Sequence, residues 1–153
     1  MTDLRDLSDA DLALIAHARQ IVESNGDGSI STMGSAVRTT SGEIFGAINL
    51  YHFTGGPCAE LVVLGVAAAH GARSLETIVA VGDEGRGPVG PCGRCRQVLF
   101  DYHPQIRVLL PTDEQGVKTV SIAELLPYGG RWDVELGTQP YDPDYDRDAT
   151  TQK

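Results

Sequence analysis

Apolar positions first recur with helical spacing between residues 9 and 24. Leu12, Ile15, Ala16, Arg19 and Val22 share one side, and Leu14, Ala18 and Ile21 widen the stripe. Ser8 supplies an N-cap, with Asp9 and Asp11 in the first turn, and Asn25-Gly26-Asp27-Gly28 ends the helix. Residues 35–38 and 43–51 then predict two strands around the turn Thr39-Thr40-Ser41-Gly42. Ile44 and Phe45 break strict alternation, as in a strand buried on both faces. From Pro57 to about His70 the chain is apolar on nearly every side of a helix, with Gly71 as its stop. One sheet covers only one side of such a helix, so the remainder points to burial by another subunit. Residues 77–81 and 106–110 have no alternation and predict central strands, separated by a glycine-rich loop over 82–90 and a helix over 91–102 that His103-Pro104 stops. Ser121-x-x-Glu124 predicts a capping box opening a short helix that Pro127 ends. Strand–helix–strand units imply right-handed crossovers and some parallel pairing, hence an α/β fold with a mixed sheet flanked by helices on both faces. We expect one domain over residues 1–136 and a mobile tail over 137–153, which is rich in Asp, Pro, Thr and Tyr.

Composition narrows the class. The chain has 153 residues, enough for one domain with a substantial core, and a formal net charge of −9. A protein tracking a polyphosphate backbone usually carries a basic patch, so the balance argues against nucleic acid and for a small, free substrate. The N-terminus, Met1-Thr2-Asp3-Leu4-Arg5-Asp6, is charged and has no apolar core of a secretory signal. The longest apolar run, 61–69, is too short to span a bilayer. We therefore expect a cytoplasmic protein with no membrane partner, whose three cysteines stay reduced.

Those cysteines carry the candidate chemistry. Pro57-Cys58-Ala59-Glu60 and Pro91-Cys92-Gly93-Arg94-Cys95 each place a proline at a helix start. Cysteines in the first turn there meet the positive end of a helix, which favours thiolates, and Cys92 and Cys95 share a face. Three thiolates leave a fourth zinc position open for water, the catalytic arrangement. Glu60 then suits a general acid/base beside that water. C-x-x-C alone also fits a redox pair or half of a structural zinc site. A redox pair leaves Cys58 and Glu60 unexplained; a closed site needs a fourth ligand, and none of the four histidines has finger-like spacing. Arg86, in the loop before the second motif, either donates to the sulfurs or is a solvated charge. Trp132, beside glycines, either packs over the site as a lid or is an ordinary packed aromatic. The strand ending near residue 51 delivers Asn49, Tyr51 and His52 toward the metal.

C-x-E followed by P-C-x-x-C resembles the cytidine deaminase superfamily, whose close variant H-x-E…P-C-x-x-C marks zinc nucleobase deaminases. More narrowly, the run from Tyr51 to Gly65, Arg86-Gly87, and Pro91 through Leu99 look like the blasticidin S deaminases. The likeness runs from the first helix through Trp132. It implies a three-layer α/β/α fold with a five-stranded mixed sheet, a homotetramer, and hydrolytic release of ammonia from a cytosine nucleoside. It assigns Cys58, Cys92 and Cys95 to Zn2+, Glu60 to proton shuttling, and Asn49 to the sugar. Cytidine deaminases follow that asparagine with valine and a ribose-binding glutamate; here the residues are Leu50 and Tyr51. Tyrosine lacks the two-oxygen acceptor of a carboxylate, which favours a cytosine carrying a different sugar. The competing readings are a cytidine or deoxycytidine deaminase and a zinc-stabilised nucleoside-binding protein without turnover.

Overall fold

The computed structural model describes residues 3–130 and 132; the expected tail, 137–153, lies outside the described residues. Its elements run α1 (Asp9–Asn25), β1 (Met33–Thr39), β2 (Ile44–Ile48), α2 (Ala59–Ala69), β3 (Leu75–Gly82), β4 (Gly87–Val89), α3 (Gly93–Tyr102), β5 (Arg107–Thr112), β6 (Gly116–Ser121) and a 3-10 turn, Ile122–Leu125. The sheet order is β2-β1-β3-β5-β6, with β4 against β3 as a sixth strand. Among the described residues no helix is long and apolar enough to cross a membrane.

Strand direction decides where the site falls. Both β2 and β3 pair antiparallel with β1, so they point the same way. β5 is parallel to β3. The chain leaves β2 and β3 at one end of the sheet; α2 follows β2 there, and β4 runs back along β3 for only three residues before α3 begins. The two sides of the sheet have separate cores. Leu14, Ala18 and Val22 of α1 pack on Ala36, Val79 and Leu109. Val63 and Ala67 of α2 and Leu99 of α3 pack on Val37, Ile78 and Val108. Alternate residues of a strand serve opposite faces, as Ile78 and Val79 do. This is a three-layer α/β/α arrangement.

Several local expectations shift. The inward stripe of α1 is Asp11, Leu14, Ile15, Ala18 and Val22, while Leu12, Ala16 and Arg19 face out. Arg38 of β1 bonds Asp11 at 2.9 Å, which turns that side of the helix to the sheet. Asp11 also completes a capping box with Ser8. β2 is half-buried along its length rather than enclosed on both faces, because it lies at the sheet edge. α2 buries only Ala59, Glu60, Val63 and Ala67. β6 was not expected; the signal was Val117, Thr119 and Val120 after the polar turn 113–116. The predicted capping box at Ser121 does not form, since Ser121 makes no side-chain cap bond and Glu124 accepts the backbone N–H of Asp3 at 3.0 Å.

Candidate active site

Cys58 and Cys92 are the N-cap residues of α2 and α3, one position earlier than the first-turn placement expected from the prolines. Each has extended backbone, with ψ of 154° and 168°. Cys95 lies one turn into α3 and is fully buried. The approach to Cys58 explains its two glycines. Gly55 has φ of +100°, which favours glycine. At Gly56 a Cβ would lie 2.0 Å from the Leu50 carbonyl oxygen, so no side chain fits. The loop closes through Leu50 N–H, which donates to Pro57 O at 3.2 Å.

The three sulfurs lie within 4.8 Å of one another. Cys58 Sγ is 3.7 Å from Cys92 Sγ, and Cys92 Sγ is 3.6 Å from Cys95 Sγ. Tetrahedral zinc with bonds of about 2.3 Å separates its sulfur ligands by about 3.8 Å, close to both of these distances, so the cluster suits zinc. Charge fits as well. Burial pushes the Cys95 thiol far up, and the carboxylate of Glu60 and the sulfur of Cys58 push the same way. A divalent cation reverses that balance. At Cys92 burial also raises the thiol. The Cys95 N–H and side chain, Cys58 and the Arg94 N–H outweigh it and hold the group below its ordinary value.

Glu60 is buried beside this cluster, 7% exposed. Burial raises its carboxyl above the usual range, against hydrogen bonds from its own N–H and from Cys95. Glu60 lies in the first turn of α2, and a buried carboxylate is costly, which makes it a candidate functional group.

The other expected residues are placed as follows. Arg86 is held on its own loop, bonding the Asp83 carboxylate and donating to Thr32 O at 2.9 Å. The guanidinium that reaches a sulfur belongs to Arg94, whose Nη2 lies 3.8 Å from Cys58 Sγ and 2.9 Å from Gly56 O. Sequence reasoning passed over Arg94, although its place inside the C-x-x-C was the available signal. Asn49 is engaged by the chain itself: Oδ1 accepts from Thr32 and Met33 N–H at 2.8 and 2.9 Å, and Nδ2 donates to Ile30 O at 3.1 Å. Tyr51 is 65% exposed on the loop that leads to Cys58. Trp132 packs against the C-terminal end of α3. Its backbone N–H donates to the Asp101 carboxylate at 2.8 Å and its ring meets Tyr102 edge-on at 5.9 Å. Ten residues of α3, about 15 Å, separate Tyr102 from Cys92.

No protein-family model matches the chain. A blasticidin-S deaminase from Bacillus cereus is 34% identical over 131 residues, covering 80% of this chain and 93% of that protein. A cytidine deaminase from Sporosarcina psychrophila is 32% identical over 100 residues, 62% of this chain and 71% of its own. In three dimensions the fold is similar to a cytidine deaminase from Burkholderia pseudomallei, with a TM-score of 0.64 and 30% identity over 80% of this chain and 98% of that one. The sulfur cluster, the adjoining buried glutamate and these likenesses agree, and the chain belongs to the cytidine deaminase superfamily.

Proposed function

We propose that the protein is a zinc-dependent hydrolase that deaminates the cytosine ring of a free nucleoside, with blasticidin S as the favoured substrate. The observation that carries this is the triad of sulfurs within 4.8 Å of one another with Glu60 buried against Cys95. Cys58, Cys92 and Cys95 would hold the zinc, which would supply an activated water near neutral pH. Glu60 would accept a proton from that water and deliver it to ring N3 as oxygen adds at C4. It would then take the proton of the new C4 hydroxyl and pass it to the 4-amino group, so that C4=O forms, the C4–N bond breaks, ammonia leaves and a uracil ring remains. The burial that raises its proton affinity suits a group that must both take and give a proton. A nucleoside-binding protein without turnover has no use for such a group.

The preference for blasticidin S over cytidine is supported by the relative in Bacillus cereus and by the sugar end of the site. Tyr51 stands where cytidine deaminases carry a carboxylate, and Asn49 already braces residues 30–33. A site without the ribose acceptors gains little from ribose hydroxyls. The cytidine deaminases among the relatives favour cytidine or deoxycytidine as the second reading. Ammonia release from the two nucleosides side by side decides. We expect the higher kcat/KM on blasticidin S, and a shift toward cytidine in Tyr51→Glu. Efficient turnover of cytidine with blasticidin S untouched removes the narrower reading and keeps the general one.

The assembly we propose is a homotetramer in the cytoplasm. α2 and α3 form an apolar groove of about 600 Å³ whose lining includes Leu61, Leu64, Gly65, Ala68 and Val98. A second copy of the same surface would cover it.

A further inference from the structure

Two short segments aim the sulfur ligands, one entering Cys58 and one entering Cys92. The peptide plane ahead of an N-cap residue contains that residue's own N and Cα, so it sets the direction in which the side chain departs. Each approach is gripped by an arginine of α3. Arg94 donates to Gly56 O at 2.9 Å and to Gly55 O at 3.4 Å. Arg96 Nε donates to Pro91 O at 2.9 Å, and its Nη1 donates to Leu125 O at 3.3 Å. The Pro91 carbonyl belongs to the Pro91–Cys92 peptide itself. Leu125, at the end of the 3-10 turn, gives the guanidinium a second anchor, so Arg96 is itself held in place. The need is greatest at this ligand. Cys95 is packed in the core and Cys58 is half-buried, whereas Cys92 is the exposed member of the three.

We propose that Arg96 is a positioning residue for Cys92, holding through the Pro91–Cys92 peptide the sulfur spacing that the metal requires. This rests on the zinc reading above. Partners that orient a metal ligand from behind are commonly worth 10–100-fold in metal affinity.

The test compares the full-length wild type, Arg96→Gln, Arg96→Lys and Gln97→Ala. Gln97 is the matched control, because it also ties α3 to a backbone carbonyl, that of Gly130 at 2.8 Å, which belongs to neither cysteine approach. Zinc affinity is measured against a chromophoric chelator. Cobalt-loaded forms are compared by their d–d and sulfur-to-cobalt absorption, and zinc-free forms by thermal unfolding. We expect Arg96→Gln to bind zinc about 10–100-fold more weakly with shifted cobalt bands, while its zinc-free midpoint stays within a few degrees of wild type. Arg96→Lys, which keeps a charged donor on a long stem, should recover part of the affinity, and Gln97→Ala should match wild type in both metal readouts. Unchanged affinity and bands in Arg96→Gln overturn the proposal, as does an equal loss in Gln97→Ala. Failure of both Arg96 variants to fold without zinc also overturns it, because Arg96 would then hold the fold and not the ligand. A wild type that binds no zinc refutes the zinc reading instead.

Discussion

Glu60, beside the sulfur cluster, is a carboxyl whose proton affinity burial raises. Replacing Glu60 by Gln keeps shape and hydrogen bonding while removing the proton acceptor. Zinc content should stay at wild-type stoichiometry, and turnover should fall by about 10²–10⁴-fold. Ammonia release near the wild-type rate from zinc-loaded Glu60→Gln would reject the proton-shuttle role. Arg94 and Arg86 give a second contrast at this scale. Only Arg94 reaches a sulfur, at 3.8 Å from Cys58, while Arg86 serves Asp83 and Thr32. Arg94→Gln should weaken zinc binding by about 10-fold. Arg86→Gln should leave it near wild type, as read by chelator competition. The reverse order would place the sulfur-facing charge on the β3–β4 loop after all.

At the scale of elements, α1 is tied to the sheet by more than apolar contact. Asp11 caps its own helix through Ser8 and bonds Arg38 of β1 at 2.9 Å, and both side chains are largely buried. Arg38 keeps Glu76 and Thr77 as further partners. Loss of Asp11 therefore leaves the cation incompletely paired, and Asp11→Asn should cost about 2–3 kcal/mol near neutral pH. The pH dependence has a definite sign. Burial raises the Asp11 carboxyl, but hydrogen bonds with Ser8 and Arg38 outweigh it and hold it below the ordinary 3.8. A depressed folded value means that the stabilisation is present above the unfolded pKa and is lost as pH falls through the folded one. Urea unfolding at pH 7 and pH 3 should show the gap between wild type and Asp11→Asn narrowing in acid. A gap that is constant or wider at pH 3 would contradict the assignment.

The whole molecule presents an apolar face that one chain does not cover. Leu61, Val62, Leu64 and Val66 of α2 are only half-buried, and Gly65 is exposed. A Cβ built at Gly65 meets nothing within 4 Å, so a side chain there leaves a single chain undisturbed. Gly65→Arg should therefore keep the circular dichroism of a folded chain and abolish assembly, while wild type scatters light as four chains. A tetrameric Gly65→Arg variant would show that subunits meet elsewhere. A monomeric wild type at micromolar concentration would dismiss the homotetramer.

Local chemistry was legible in the chain because it is written at short range. Proline, cysteine and glycine at adjacent positions announce a helix start carrying a sulfur, and Cys92 and Cys95 share a face by helical spacing alone. The α/β class followed from elements whose periodicity is strong, and the capped start of α1 from Ser8 and its acidic first turn. What only the tertiary structure decided is which distant groups meet. That α2 and α3 begin together depends on β2 and β3 both running against β1, a pairing that no local pattern specifies. The inward face of α1 turned on Arg38, 27 positions from Asp11. The guanidinium beside Cys58 proved to be Arg94 because α3 faces the 55–57 loop, whereas Arg86 found acceptors within its own surroundings. Trp132 went to the far end of α3 through Asp101, and Asn49 to the backbone of residues 30–33. A long polar side chain has many reachable partners, and burial and geometry in the assembled fold select among them.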